Sequence, residues 1–157
     1  MVLKYNTELK KLISWTRKTL GKALLFRTYA ELMQQTKPGM YIVFDGVRAI
    51  YVGKTTRSGK VRVSEMASDY RSHTLNKKLL TSLLIGAKVI NKGPLKRESK
   101  VELISRGKIS KKGFRTAQAR VNSRIRNSFR FIFIPCKSHL SRLEHWTIAL
   151  LNPRFND

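Results

Sequence analysis

The sequence predicts an α+β fold: a small, mainly antiparallel β-sheet, made of a β-hairpin plus one further strand, flanked by helices. Two short β-rich runs, Met40–Phe44 and Ala49–Gly53, are joined by Asp45-Gly46-Val47-Arg48, a hairpin signature. A third apolar run, Phe129–Ile134, reads as a buried strand late in the chain. The other apolar stretches carry helical spacing.

Residues 6–20 predict a first helix, capped by Asn6 or Thr7, with Leu9, Leu12, Ile13 and Trp15 as its apolar stripe. Residues 23–35 predict a second, ended by the breaker Lys37-Pro38-Gly39. After the hairpin a helix is expected from near Val61 past Met66 and Tyr70, then a largely buried one over Leu75–Ile85. Between 86 and 128 the composition changes, with thirteen Lys or Arg against two acids. Periodicity there is weak, apart from the alternating run Val101-Glu102-Leu103-Ile104 and a helical pattern around 116–126. This segment reads as a basic insertion in a small core. A last helix, Leu140–Leu151, is stopped by Asn152-Pro153. The expected organisation is one domain over 1-157, with 1-37 as an N-terminal helical extension.

Charge narrows the function. Thirty-three Lys and Arg against nine Asp and Glu leave +24, a repulsion best explained by a polyanionic partner, and DNA or RNA is the commonest. No run of 18 apolar residues speaks for a membrane. The N-terminus lacks a signal-peptide apolar core, and the single Cys136 excludes an internal disulfide, so a cytoplasmic location is expected. Three His and one Cys at unrelated spacings argue against a structural zinc site.

Gly39-Met40-Tyr41, nine residues, then Tyr51-Val52-Gly53 resembles the hairpin motif of the GIY-YIG nuclease family, with Met and Val in place of the two isoleucines. Beyond it come Lys54 and, nine residues past Gly53, Arg62, similar to the family's catalytic arginine but one residue further on. Four residues later many members carry Tyr or His, whereas this chain has Met66; His73 is an alternative reaching from further along. Leu143-Glu144-His145-Trp146 leads, twelve residues after the glutamate, to Asn156, which resembles the family's C-terminal metal-binding glutamate and asparagine. Independently of the resemblance, a helical wheel sets Glu144 inside the apolar arc of Leu140, Leu143, Thr147, Ile148 and Leu151. An acid there needs a cation or good donors, which a metal or an ordinary salt bridge to a basic residue would supply.

The resemblance implies a metal-dependent endonuclease acting on double-stranded DNA. Tyr41, Tyr51, Lys54, Arg62, Glu144 and Asn156 would form its catalytic set. Glu144 would hold one divalent ion, Mg²⁺ or Mn²⁺, with substrate phosphate and water completing the shell. Arg62 suits phosphate oxygens through its fork of donors. The resemblance points to Tyr41 as base, with Tyr51 as the alternative base or as the group that orients the water or phosphate; a tyrosine base requires Lys54, the metal and nearby arginines to lower a phenol pKa of about 10. Asn156 would hold the site or the substrate backbone. A two-residue Asp45-Gly46 turn would set the two tyrosines on opposite faces; an odd connection or a bulge would set them on one face, directly across from each other. DNA contacts are expected from Arg57, Arg71, His73, Lys111, Lys112, Arg115, Arg120, Arg124 and Arg126. A compact chain with an insert in place of an appended reader favours a restriction-type enzyme over the homing or structure-specific repair types. A palindromic target would favour a homodimer. The competing class is a non-catalytic basic nucleic-acid-binding protein.

Overall fold

The computed structural model describes residues 7–20 and 24–156. Two compact units make up the chain, Met1–Val63 with Ser128–Asp157, and Ser64–Asn127.

The first unit is built on a three-stranded antiparallel sheet of order β2-β1-β3: β1 (Gly39–Asp45), β2 (Arg48–Thr55) and β3 (Phe129–Pro135). Central β1 is buried on both faces from Gly39 to Phe44, which is why its sequence is a continuous apolar run and not an alternating one. Met40, Ile42 and Phe44, with Val52, Ile132 and Ile134, pack against Leu12 of α1 (Thr7–Leu20) and Leu140 and Leu143 of α7 (Leu140–Leu151). The opposite face carries Gly39, Tyr41 and Val43 beside Gly53 and Tyr51 on β2 and Phe131 and Phe133 on β3. That face meets the short α2 (Tyr29–Leu32), whose Tyr29 ring lies edge-on to Phe131, and Gly59 at the start of α3 (Gly59–Met66).

The hairpin turns through Gly46-Val47 between the paired Asp45 and Arg48, and Ile50 forms a bulge between Phe44↔Ala49 and Val43↔Tyr51. An even turn would have separated the tyrosines; the bulge restores the one-residue shift and brings both to one face. They sit two pairs apart and not directly opposite, since Tyr41 pairs with Gly53 and Tyr51 with Val43.

The expected helix over 23–35 contracts to α2. Residue 23, like Asn6, lies outside the described residues. Arg27 instead bridges Phe131 through two backbone hydrogen bonds, adding a short edge to β3. Phe26 packs edge-on to Phe44 at 4.9 Å. Helix begins only at the Thr28–Glu31 capping box, where Thr28 N–H donates to Glu31 at 2.6 Å and Glu31 N–H to Thr28 at 3.3 Å. α1 begins at Thr7.

The second unit holds α4 (Thr74–Gly86), α5 (Ser99–Ser105) and α6 (Lys111–Asn127). α3 stops at Met66, leaving Tyr70 in a turn, because His73 starts a new helix by accepting the Leu75 N–H at 3.1 Å. A buried amide network then fixes the turn. Asn76 donates to Met66 O and Asn122 Oδ1, Asn122 donates to Ser68 O, and Gln118 accepts from Tyr70 N–H. These bonds satisfy carbonyls that a helix end exposes. The alternating run at Val101–Ile104 is helical, within α5. No helix among the described residues is long and apolar enough to cross a membrane.

Candidate active site

The first unit brings Tyr41, Tyr51, Lys54, Arg62 and Glu144 into one neighbourhood from β1, β2, α3 and α7. The Tyr41 and Tyr51 rings stack with centroids 6.3 Å apart and planes at 30°. Gly53 makes this possible. A Cβ there would overlap the Tyr41 hydroxyl and lie 2.6 Å from its Cζ and 2.9 Å from Tyr51 Cε1. The Tyr41 ring therefore crosses the β2 backbone at the one residue that has no side chain.

Arg62 arrives through the seating of α3. Gly59 N–H donates to Lys37 O at 3.0 Å and Lys60 N–H to Gln35 O at 2.7 Å, so the loop before β1 satisfies the first amides of the helix. Gly59 packs closely as well, since a Cβ would fall 2.7 Å from that of Gln35. One turn on, Arg62 donates a hydrogen bond to the Tyr41 hydroxyl.

Tyr41 is fully buried. Burial pushes its hydroxyl well above the usual phenol value, the Tyr51 and Glu144 charges push the same way, and Arg62 opposes them without prevailing. A tyrosine acting as base requires the reverse, a phenol lowered by nearby cations. In this structure Tyr41 is a neutral phenol at physiological pH.

Glu144 is largely buried, as its place in the apolar arc of α7 requires, with a side chain 16% exposed. Its partner is Lys54, whose Nζ lies 3.0 Å from Oε2 and also donates to Ser141 Oγ at 2.7 Å. Ser141 was not singled out in the sequence, although its place three residues before Glu144 puts it on the same helix face. Asn156 grips the edge of β2. Its Oδ1 accepts from Val52 N–H and its Nδ2 donates to Val52 O, each at 2.7 Å, while Phe155 N–H donates to Ile50 O at 2.9 Å. The C-terminal segment thus pairs with the outer edge of β2 as a strand would, holding Tyr51 and Gly53 from behind.

Among the described residues no cluster of three or more His, Cys, Asp or Glu could cage a metal ion. Glu144 is the one carboxylate of this group. Such a donor set fits a hard ion that keeps most of its water and takes further ligands from a substrate phosphate.

The expected DNA contacts divide. Arg57 is exposed in the turn after β2, and its backbone closes a small ring with Thr55. Lys111, Lys112, Arg115, Arg120 and Arg124 are exposed on α6. Arg126 donates to Ala67 O at 2.8 Å, so part of its guanidinium serves the turn after α3. Arg71 is paired with Asp69 at 2.8 Å. His73 is 2% exposed and occupied as the cap of α4, so it offers DNA almost no surface. Met66, where a second polar group would have been sought, is fully buried.

No protein-family model, curated protein or solved structure matches this chain.

Proposed function

We propose that the protein is a metal-dependent endodeoxyribonuclease of the GIY-YIG type that hydrolyses phosphodiester bonds in double-stranded DNA, in the manner of a restriction enzyme. The observation that carries the proposal is the meeting of two stacked tyrosines, an arginine bonded to one of them, and a Lys–Glu pair, drawn from four elements of a strongly basic chain.

Arg62 binds the scissile phosphate. A guanidinium carries five N–H donors in a fixed fork, so it can serve the Tyr41 hydroxyl and phosphate oxygens together. Tyr41 orients Arg62 as a neutral phenol. Tyr51 receives the attacking water, because it keeps 8% exposure where Tyr41 has none. Lys54, held by Glu144 and Ser141, adds positive charge where negative charge grows on the phosphate. Mg²⁺ or Mn²⁺ bound by Glu144 with the substrate would supply Lewis acidity toward the leaving 3′ oxygen.

The test is cleavage of supercoiled plasmid with Mg²⁺, with EDTA, and by Glu144→Ala, followed by sequencing of the ends. Discrete ends that vanish in both controls are expected. A second reading, a non-catalytic nucleic-acid-binding protein, is favoured by the Lys54–Glu144 pair, which already satisfies the acid as an ordinary salt bridge would. Tight, salt-sensitive binding with no cutting by the wild-type chain would establish that reading instead.

A further inference from the structure

Away from the tyrosines, α1 and α7 of the first unit form a cleft of about 410 Å³ walled by Trp15, Trp146, Leu143 and Cys136, with His139 and Arg142 at its rim. Its size is that of a small-ligand site, where about 300–1,000 Å³ is usual. Trp15 and Trp146 are the chain's only two tryptophans. They stay 36% and 39% exposed, a large apolar surface to leave in water. Their rings touch, with centroids 5.0 Å apart and planes at 47°. They form one continuous wall, and a planar guest would stack on its open side.

Charge identifies the guest. On α1, Lys11 and Lys18 are exposed four residues before and three after Trp15, on the same helix face. Arg142 stands four residues before Trp146 on α7. No carboxylate lines the cleft among the described residues. An aromatic platform framed by cations, on a chain of net charge +24, is the arrangement that binds single-stranded nucleic acid by stacking bases and tracking phosphates.

We infer that this cleft binds an unpaired base of a DNA strand on the Trp15–Trp146 wall, with Lys11, Lys18 and Arg142 on the flanking phosphates. Only the choice of DNA over RNA rests on the nuclease reading; the stacking site needs no cleavage. Because both tryptophans are here, tryptophan emission, excited selectively over the five tyrosines, reports this site.

The experiment titrates the full chain in EDTA, where the proposed cleavage is off, with an oligothymidylate of about eight nucleotides. Its ribo counterpart and a duplex of equal length are the comparators. Saturable quenching by the DNA single strand is expected, with less by the duplex. Trp146→Leu should weaken binding roughly five- to hundred-fold at an unchanged salt slope, and Trp146→Phe should retain most of it. Arg142→Gln should instead lower the salt slope by about one contact. A melting curve matching the wild type checks that each variant folds. Quenching by RNA alone, equal response to duplex with Trp146→Leu binding normally, or emission that changes only on dilution, the mark of a second copy in the cleft, would each overturn the inference.

Discussion

Gly53→Ala is the sharpest test of how the tyrosine pair is built. In a strand interior this change is ordinarily favourable by about 0.5–1 kcal/mol, because glycine loses more backbone entropy on folding. Here the added methyl would lie 2.6 Å from Tyr41 Cζ and 2.9 Å from Tyr51 Cε1, and would overlap the Tyr41 hydroxyl. Ordinary carbon contacts are about 3.5–4.0 Å, so the ring or the strand must move by about 1 Å. Neither can do so cheaply. Tyr41 is fully buried with Phe133 beside it on β3, and Asn156 holds Val52 from the outer edge of β2. Overpacking of this kind costs about 1–3 kcal/mol, so after the entropic gain a net loss of roughly 1 kcal/mol is expected, seen as a Tm lowered by about 2–4 °C. Urea denaturation of the wild type, Gly53→Ala, Tyr41→Phe and the double variant measures it. Tyr41→Phe costs about 1–3 kcal/mol alone, since the partly buried Arg62 loses its acceptor. It also removes the nearest atom to the new methyl, so the double variant should be more stable than the sum of the two losses. A Gly53→Ala protein as stable as the wild type, or additivity within about 0.5 kcal/mol, would refute the close approach of the ring to β2.

Asn156→Ala removes both bonds to Val52 and should cost about 1–3 kcal/mol, with markedly faster hydrogen exchange at the Val52 amide. Unchanged protection there would show that the edge does not depend on the clasp. Tyr41, raised above its ordinary value, contributes stability that is complete below the unfolded phenol pKa of about 10 and is lost as pH rises beyond it. Urea titrations above that pH should therefore fall less steeply for Tyr41→Phe than for the wild type, with the raised Tyr70 leaving some decline in both. Glu144→Gln leaves a polar group that can still accept from Lys54, whose side chain is 33% exposed, and should change stability by no more than about 1 kcal/mol. Under the nuclease reading it should also slow cleavage by about 10²-fold or more, measured in single turnover.

Elements whose signals are local were legible in the sequence. β1 reads as a run of buried apolar residues, and α7 by its wheel and by the Asn152-Pro153 stop. The departures arise where distant chain decides. Residues 24–28 have helix-compatible composition, yet Arg27 finds its backbone partner in Phe131, far along the sequence. The Thr28-x-x-Glu31 pattern was present and could have placed the start of α2. At the site, the motif spacing located both tyrosines, and the same-face condition identified a bulge as one of two ways to unite them. Ile50 supplies it. The pKa direction of Tyr41 was not legible, because it depends on a burial that only the finished core creates. His73 shows the same limit: a histidine in a basic chain suggests DNA, and only the tertiary structure reveals a buried helix cap.

The charge distribution bears on how DNA would be held. The basic insert drew attention in the sequence, but seventeen Lys and Arg against five acids lie in the first unit, and sixteen against four in the second. Each unit thus carries a large positive excess of its own, and a polyanion has reason to contact both. On α6, Arg120 and Arg124 lie one turn apart and exposed, with Arg115 exposed toward the start of the helix. Replacing all three with Gln should lower the salt slope of DNA binding by no more than about three contacts, near 0.9 for each phosphate released. Substantial affinity should then remain from the first unit, where Arg62 and the cations beside the tryptophans sit. Near-complete loss of binding in that variant would assign the nucleic-acid surface to α6 alone and leave the positive charge of the first unit without a partner.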